Sequence, residues 1–437
     1  MEKNPKIDVI VIGAGPSGVA CATVAARYGL KVLVIEKASH FGVKNVYGGA
    51  VYLESIKELF PKTYKNCPYE RFLKKHNYVI LNGNNSINVS YENNENEKTS
   101  ATITRFAFDS FLAEEARKEG VYFATETLVT SLIKKGNKIV GVKTETEEIF
   151  APVVVIAEGF NSILLNEANL KKKTSPKSAI LGVKETIRLG EETIKQRFQL
   201  KENEGSMYEF FGGLNKEGED IPFSMGFLYT FKNTVSIGVG VSMETLLKNK
   251  VKPYEYLNRL KNNEFVKNLI EGGELVEYSA HSIPEGGYNE LPEIFGDGYL
   301  IVGDAANLVD SVHFEGTNLA IKSGIVAGEV IIEAYKKKNF TKKILKNYKK
   351  KLNETFVIKD LKTYKNVIPT LLKRKNSIFS YYPKKIDEFF KLWTTANNKG
   401  KKQGYRKFLF SFFKERSLKE LLSDVISFVK CAIEAII

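Results

Sequence analysis

The sequence contains little cysteine. The three cysteines in 437 residues, Cys21, Cys67 and Cys431, lie far apart and show no Cys-x-x-Cys or other ligand spacing. This distribution argues against a disulfide framework, a zinc ribbon or an iron–sulfur cluster bound within the chain, so we expect no metal site. A reducing, cytosolic setting fits best.

Long hydrophobic runs and a leader segment are also missing. Residues 9–26 carry no charge, and 18 residues is the length of a membrane span, but this stretch contains three glycines and Pro16. We interpret it as a buried strand, a turn and a helix. The polar N-terminus leads directly into the strand, and no signal peptide is evident.

Acidic residues are scarce at one end of the chain. The whole sequence has a formal charge of +14, from 65 Lys and Arg against 51 Asp and Glu. Residues 336–437 hold 27 of the basic and 8 of the acidic residues, which leaves 38 basic and 43 acidic residues before them. A mildly acidic body therefore precedes a basic region that marks a docking end.

The first 37 residues show the sharpest local pattern, a βαβ unit. Residues 7–12 form a continuous apolar strand, as in a parallel sheet covered on both faces. A Gly-x-Gly-x-x-Gly turn follows, then a helix to about Tyr28 and a strand at residues 31–35 that ends at Glu36. In this context the motif indicates a dinucleotide site rather than an unrelated glycine-rich turn.

The three glycines of this turn have different predicted tasks. Gly13 permits the tight turn, Gly15 lets backbone amides approach a pyrophosphate, and Gly18 lets the helix pack closely on the strand. The unpaired amides of the helix N-terminus would face the anion. Glu36 stands where a carboxylate accepts hydrogen bonds from an adenosine ribose.

The remaining chain departs from a nicotinamide-dehydrogenase layout. We predict a hairpin at Gly136 and Asn137, a mixed β-rich region at residues 178–285, a strand at residues 298–302 and a helix at residues 317–335. Gly303 and Asp304 follow that late strand. Because FAD carries a long ribityl arm, the first βαβ unit can anchor its adenosine end while a distant carboxylate, Asp304, holds the ribityl end.

Dispersed motifs resemble a known superfamily. The segments GAGPSG at residues 13–18, VIAEGFNS at 155–162 and GDAA at 303–306, together with Glu36, resemble the FAD-dependent hydroxylase and reductase superfamily. Further segments resemble its FixC-type electron-transfer-flavoprotein:quinone oxidoreductases: KNVYGG (44–49), CPYER (67–71), GVKE (182–185), GFLYT (226–230), LVEYSAH (275–281) and EGTNLA (315–320). The similarity runs from residue 5 to about residue 370.

The resemblance implies an α/β fold. A Rossmann-like FAD-binding domain of the glutathione-reductase/hydroxylase type would carry an inserted mixed β-rich substrate domain and a helical basic C-terminal region. The predicted FAD-binding domain is discontinuous, comprising residues 1–60, 100–175 and 290–335. The substrate or quinone-side domain comprises residues 61–99 and 176–289, and the C-terminal region residues 336–437.

The resemblance also implies the cofactor, FAD, and the residues that bind it. The glycines of the first turn would hold the pyrophosphate, Glu36 the ribose, Arg105 the phosphates and Asp304 the ribityl chain. Backbone amides at residues 316–318 would face the pyrimidine edge of the flavin. The full predicted set is Gly13, Gly15, Pro16, Ser17, Gly18, Glu36, Lys37, Lys44, Val46, Gly48, Gly49, Arg105, Val129, Glu158, Gly159, Gly303, Asp304, Gly316, Thr317 and Asn318.

Two departures from the family pattern stand out. Glu158 precedes Gly159 where the superfamily usually has aspartate, and a longer carboxylate in the same role is expected. The cysteine-ligated 4Fe–4S domain of the larger quinone oxidoreductases is missing, since Cys431 stands alone. A separate small ferredoxin-like subunit would therefore supply the cluster.

No residue is expected to do the chemistry in place of the flavin. Tyr47 and His313 are candidates for a redox role, with packing or surface positions as the alternative reading, and His281 is the other histidine near flavin segments. In the basic tail, aromatic and cationic residues alternate between residues 378 and 413, and residues 416–437 form an amphipathic helix. The tail fits a peripheral membrane contact or an acidic partner, whereas a flavoprotein body argues against nucleic acid.

The predicted function follows from the resemblance. The chain would accept electrons from an electron-transfer flavoprotein and pass them, with the ferredoxin-like subunit, toward membrane quinone. It would be cytoplasmic and peripheral on the cytoplasmic membrane face. A geranylgeranyl-type isoprenoid lipid reductase is the alternative enzyme, and a non-catalytic flavoprotein scaffold is the alternative of another class.

Overall fold

The structure is a computed structural model that describes residues 6–43, 49–95, 97–216, 219–396 and 400–436. Two compact units make up the chain. The first comprises residues 1–73, 95–180 and 280–362, and the second comprises residues 74–94, 181–279 and 363–437.

The strands and helices alternate through much of the chain. The strands are β1 (Val9–Ile12), β2 (Val32–Ile35), β3 (Gly49–Tyr52), β4 (Arg71–Asn82), β5 (Asn85–Glu92), β6 (Ser100–Ile103), β7 (Tyr122–Ala124), β8 (Val129–Lys135), β9 (Lys138–Thr144), β10 (Glu148–Phe150), β11 (Val153–Ile156), β12 (Ala179–Arg188), β13 (Glu204–Phe211), β14 (Ser224–Thr230), β15 (Thr234–Ser242), β16 (Glu274–Pro284), β17 (Phe295–Gly296) and β18 (Tyr299–Ile301). The helices are α1 (Pro16–Arg27), α2 (Leu53–Leu59), α3 (Arg105–Lys118), α4 (Ile163–Glu167), α5 (Glu191–Arg197), α6 (Met243–Asn249), α7 (Pro253–Lys261), α8 (Glu264–Ile270), α9 (Thr317–Lys336), α10 (Lys342–Leu345), α11 (Asn347–Glu354), α12 (Phe356–Thr363), α13 (Val367–Lys373), α14 (Tyr382–Thr394), α15 (Lys401–Glu415) and α16 (Leu418–Ile436).

A six-stranded sheet forms the centre of the first unit. Its order is β17-β18-β11-β1-β2-β7. β1 pairs in parallel with β2 and with β11, so that Val9 lies opposite both Val32 and Val153. The central strands are runs of valine and isoleucine that are buried on both faces, as parallel sheets require. The predicted βαβ unit and the Rossmann-like α/β fold are confirmed.

Helices α1 and α9 pack closely against each other beside this sheet. A Cβ atom added at Gly324 of α9 would lie 2.2 Å from the Ser17 carbonyl oxygen of α1. One added at Gly328 would lie 2.7 Å from Cβ of Val24. Glycine at these two positions therefore allows a contact that any side chain would prevent.

Antiparallel strands complete the first unit. β8, β9 and β10 form a three-stranded sheet, in which Lys135 pairs with Lys138 across the turn. The hairpin predicted at Gly136 and Asn137 is confirmed, with Gly136 at a positive φ of 60°. β3 and β6 also pair antiparallel, and the first residues of β4 pair with β6.

The second unit contains a larger sheet, with the strand order β16-β12-β15-β14-β13-β4 and β5 paired to β4. Strands β14 and β15 lie within residues 178–285, the region predicted to be β-rich. Tyr256, Leu257 and Leu260 of α7 are fully buried in the core beneath this sheet. At the point of contact a Cβ atom at Gly226 would lie 2.7 Å from Leu260, so glycine there lets α7 approach the sheet.

The residues of the basic C-terminal region fall in both compact units. Helices α10 to α12 belong to the first unit, because Leu345, Tyr348 and Leu352 are buried in its core. The chain from residue 363 onward, with α13 to α16, belongs to the second unit. None of the helices within the described residues is long and apolar enough to cross a membrane.

The helix predicted at residues 416–437 is present as α16, but one of its charged residues is buried. Asp424 has no exposed surface, and its carboxylate lies between Arg416 (Nη1–Oδ2, 2.6 Å) and Arg374 (Nη1–Oδ1, 3.1 Å). The Tyr382 hydroxyl donates to the same carboxylate. Asp424 thus ties α16 to the rest of the C-terminal helices instead of facing solvent.

Candidate cofactor-binding site

A cavity of about 630 Å³ lies in the first unit. The residues after β1, β2, β11 and β18 line it, so it opens at the carboxyl ends of the parallel strands. This edge is where open α/β sheets bind their ligands, because loops and helix N-termini converge there. The volume is within the range of cofactor sites.

The glycine turn after β1 forms one wall, and each of its glycines is placed differently. Gly13 has a φ of +101°, and a Cβ atom there would lie 2.4 Å from the Ala157 carbonyl oxygen. A Cβ atom on Gly18 would lie 2.2 Å from the Gly13 carbonyl oxygen. Around Gly15, in contrast, a Cβ atom would meet no atom of the protein within 4 Å. The space beside Gly15 is therefore left for a ligand.

Two helices begin at this cavity without a side-chain cap. Gly15 precedes α1 and Gly316 precedes α9, and neither position supplies a side-chain hydrogen bond to the first turn. Gly316 also has open space where its Cβ atom would be. The free amides and the helix dipoles make both ends suited to anionic or electron-rich groups.

Glu36 at the end of β2 holds the glycine turn in place. Its Oε2 accepts a hydrogen bond from the Ala14 amide (2.9 Å), and its Oε1 accepts one from the Ala38 amide (2.9 Å). The carboxylate faces the cavity as well. It can therefore orient the phosphate-binding turn while offering its remaining lone pairs to a ribose.

Asp304 and Arg105 place opposite charges in the wall. Arg105 is held by a two-point pair with the fully buried Asp109 (Nε–Oδ1, 2.9 Å; Nη2–Oδ2, 2.8 Å). Burial raises the pKa of Asp304, and the positive charges of Arg105 and Lys171 oppose that rise. Whether the Asp304 carboxyl group is ionised therefore depends on these two cations.

Glu158 has a structural contact that the sequence did not reveal. Its carboxylate accepts hydrogen bonds from the amides of Leu164 (2.9 Å) and Leu165 (3.0 Å), which begin the short helix α4. Burial raises the pKa of Glu158, and these backbone contacts oppose the rise. The longer glutamate side chain reaches the helix start and keeps the turn after β11 closed.

Lys171 is a site residue that sequence reasoning missed. Its Nζ donates to Ser162 Oγ (3.1 Å), the Ala305 carbonyl (3.1 Å) and Asn307 Oδ1 (2.7 Å). It therefore joins the turn after β11 to the turn that carries Asp304. Burial lowers the pKa of Lys171 to about 8. In the sequence it begins a run of three lysines, which is typical of a solvated surface.

The opposite wall comes from β16 and the loop before α9. His281, Ile283 and Glu285 line the cavity, as do Ser311 and Phe314. Burial lowers the pKa of His281, and the charges of Arg105 and Lys37 lower it further. His281 is therefore neutral at physiological pH. Of the segments that resemble the FixC family, LVEYSAH (275–281) includes His281 of this wall but ends before Glu285.

The cavity brings most of the predicted binding residues together. Those in its wall are Gly13, Gly15, Pro16, Ser17, Glu36, Lys37, Arg105, Val129, Glu158, Gly159, Asp304, Gly316, Thr317 and Asn318. Gly18 and Gly303 lie behind the wall in packing contacts, and Gly49 begins β3 next to the lining residue Ala50. Lys44, Val46, Tyr47 and Gly48 lie outside the described residues. His313 is not among the lining residues, whereas Ser311 and Phe314 are.

The residues present fit FAD. Space is open beside Gly15 and Gly316, and Asn318 Oδ1, which is shielded from solvent, has no hydrogen-bond partner among the described residues. The glycine turn after β1, Glu36 and Asp304, which are expected to hold the pyrophosphate, the ribose and the ribityl chain, line one cavity. This fold and site define a FAD-dependent oxidoreductase, in which the bound flavin supplies the redox chemistry.

Comparison with known proteins supports this class and narrows it. The family model described as FAD dependent oxidoreductase matches residues 8–160, and the one described as ETF-QO/FixC family C-terminal domain matches residues 368–432. The chain is 36% identical to Protein FixC of Azorhizobium caulinodans over 98% of this chain and 99% of that protein. It is also 36% identical to Protein FixC of Escherichia coli strain K12, over 86% and 87%. The chain belongs to the FixC family.

Solved structures with a similar fold include other flavoproteins. A geranylgeranyl bacteriochlorophyll reductase-like protein from Thermoplasma acidophilum superimposes with a TM-score of 0.69 at 21% identity, covering 84% of this chain and 87% of that one. The flavin-dependent brominase Bmp2 superimposes with a TM-score of 0.67 at 17% identity, covering 94% and 100%. At such identities the likeness concerns the fold alone.

Proposed function

We propose that this FAD-dependent oxidoreductase accepts electrons from an electron-transfer flavoprotein and passes them toward membrane quinone. The observation that carries the proposal is the ETF-QO/FixC family C-terminal domain at residues 368–432, joined to a FAD-binding unit that matches the oxidoreductase model. The cavity fits this reaction class, because the cofactor carries the electrons while the protein orients it and sets its potential.

A separate ferredoxin-like subunit forms the second part of the proposal. A 4Fe–4S cluster is held by four cysteine thiolates, and this chain has three cysteines in all. Cys21 and Cys67 are buried in the first unit, and Cys431 is in α16 of the second unit. The cluster of the proposed electron path would therefore have to reside on a partner.

The C-terminal helices are the proposed contact with the cytoplasmic membrane face. Phe410 of α15 is 72% exposed and Ile426 of α16 is 65% exposed. Lysines such as Lys407 and Lys419 are exposed close to these residues in the sequence. Exposed apolar side chains among cations suit an anionic lipid surface, where the rings enter the acyl boundary and the charges meet headgroups.

Electron transfer can be tested with the purified FAD-loaded chain. Reduced electron-transfer flavoprotein is mixed with it, with and without the ferredoxin-like partner, and bleaching of the flavin and reduction of a soluble quinone analogue are followed. The proposal expects flavin bleaching by the flavoprotein and quinone reduction when the partner is present. Reduction of an isoprenoid alkene by the pure chain, with no quinone reduction, would favour a geranylgeranyl-type reductase instead.

Membrane contact can be tested by replacing exposed apolar residues. The double variant Phe410→Ser/Ile426→Ser should bind anionic vesicles at least about 100-fold more weakly, since each side chain contributes roughly 1.5–3 kcal/mol when buried in lipid. Leu247→Ser is a matched control, because Leu247 of α6 is equally exposed at 66%. Equal sedimentation of both variants with the vesicles would refute this contact.

A further inference from the structure

One face of β16 aims ionisable side chains into the cofactor cavity. His281 and Ile283 of this strand line the cavity, as does Glu285 directly after it. Side chains two positions apart share a face of an extended chain, so all three point the same way. Glu285 is thus built into the cavity wall, although none of the sequence motifs includes it.

No hydrogen bond of ordinary geometry satisfies Glu285 Oε2 among the described residues. Ser311 Oγ lies close enough to affect the Glu285 pKa, but it too is shielded from solvent and forms no hydrogen bond of ordinary geometry within the described part of the chain. Ser311 also lines the cavity. Buried polar atoms are nearly always hydrogen-bonded in native proteins, so this pair is set up for a polar group that enters the cavity.

The surroundings of Glu285 favour its protonated form. Burial raises the pKa of Glu285 to about 7; the Asp310 carboxylate adds to the rise and the Ser311 hydroxyl opposes it. The pKa of Glu315, on the loop that carries Asp310, is also raised by burial and by the Asp310 carboxylate. On β16, the strand that leads into Glu285, the ionisable residue in the cavity wall is His281, whose pKa is lowered by burial so that it stays neutral. Near neutral pH the Glu285 carboxyl can therefore both release and regain a proton.

A line of polar groups leads from Glu285 toward solvent. Asp310, the residue before Ser311, also lines the cavity, and its Oδ2 lies 2.8 Å from Nδ1 of His313. Asp310 Oδ1 accepts the amide hydrogens of Val312 and His313, which keeps the two side chains together. Asp310 is 4% exposed, whereas the His313 side chain is 44% exposed. The buried Asp310 carboxylate thus contacts a histidine at the surface. Asp360 of α12 lies within electrostatic range of Asp310 and of His313.

We propose that Glu285 exchanges a proton with the flavin bound in this cavity, and that Ser311, Asp310 and His313 connect Glu285 to solvent. Reduction of a flavin by two electrons takes up a proton. With FAD bound, the O–H bond of the Glu285 carboxyl would break as its proton passes to the reduced cofactor, and the carboxylate would regain a proton from solvent through His313. The electrons come from the reductant. The proposal depends on FAD binding and is independent of the partner proteins proposed above.

The test uses the FAD-loaded chain and dithionite as the reductant. In wild type the rate of flavin reduction should change with a titration near the Glu285 pKa of about 7. Glu285→Gln, which keeps the shape but cannot release a proton, should lose this titration and react at least about 100-fold more slowly. In wild type, the slope of the midpoint potential of the bound flavin against pH should change near the same pH. In the variant this change of slope should be absent.

Two further variants separate proton transfer from structural damage. His313→Gln should slow reduction only above the Glu285 pKa, and imidazole in the buffer should restore the rate. Glu293→Gln, at a carboxylate outside the cavity wall, should behave as wild type. If Glu285→Gln does not retain FAD, Glu285→Asp replaces it and should shift the titration. A FAD-loaded variant at Glu285 with the wild-type pH profile and rate would overturn the proposal.

Discussion

Replacing Lys171 with methionine tests how the turns around the cofactor are held together. Lys171 Nζ joins Ser162, the Ala305 carbonyl and Asn307 with hydrogen bonds of 3.1, 3.1 and 2.7 Å. Methionine has a similar length and no donor. The Ser162 hydroxyl would keep its own bond to the Phe160 carbonyl, but the other two acceptors would be left buried without a partner.

The expected loss can be estimated from these two acceptors. A buried polar group that loses its partner costs about 1–3 kcal/mol. Methionine avoids the burial of an amino group, which offsets part of this cost, so we expect Lys171→Met to lower the free energy of unfolding by about 3 kcal/mol. Asp304 also loses one of the two cations that favour its carboxylate. FAD should therefore bind about tenfold more weakly, which corresponds to about 1.4 kcal/mol.

The pH dependence gives a second readout. The pKa of Lys171 is lowered to about 8 in the folded chain, whereas a free lysine has a pKa of about 10.4. Between these values the unfolded chain binds more protons, so stability contributed by this residue rises with pH. Relative to Lys171→Met, wild type should gain stability as pH increases from about 8 to about 10.

Urea unfolding of the FAD-free chain and FAD titration monitored by flavin fluorescence measure both effects. Lys172→Met is the control, because Lys172 is exposed and its replacement should change stability by less than about 0.5 kcal/mol. Equal unfolding curves and equal FAD affinities for the two variants would refute the bridging role of Lys171.

Two further predictions concern other positions. Gly15→Val should keep the helical circular dichroism and the melting temperature of wild type but bind no FAD, because its side chain enters only the ligand space. Gly13→Val should also melt at a lower temperature, since its Cβ atom would meet the Ala157 carbonyl oxygen at 2.4 Å. Retention of FAD by Gly15→Val would contradict this prediction. Burial raises the pKa of Glu209 in β13 to about 7, so the folded chain binds more protons than the unfolded chain from about pH 4.3 to 7 and loses stability as pH rises. Glu209→Gln should therefore be more stable than wild type by about 3 kcal/mol above pH 7 and equal to it below about pH 4, as measured by urea unfolding with the exposed Glu202→Gln as control.

Local patterns were enough to predict the first βαβ unit and its glycine turn. Two of its glycines meet requirements set within the motif itself: Gly18 packs on the Gly13 carbonyl, and Gly15 faces open space. The hairpin at Gly136 was predictable for the same reason, because the turn residues and the flanking strands are neighbours in sequence.

The contacts around Lys171 and Glu285 could not be predicted in this way. Lys171 bonds to Ala305 and Asn307, and Glu285 lies beside Ser311, so each contact depends on a late part of the chain returning to an earlier one. Neither residue occupies a motif position. The division of the basic region is of the same kind, since charge does not reveal that Tyr348 is buried in the first core.

The class of fold, the cofactor and the family can be predicted from short motifs, because the geometry of such motifs is local. The excess of positive charge at the C-terminal end can be counted directly. The polar groups that share the cavity, the charged residues that are buried and the resulting pKa shifts become known only from the folded chain. Burial and electrostatic contact are properties of distance in space, and the chain brings together residues such as Lys171 and Asp304 only when it has folded.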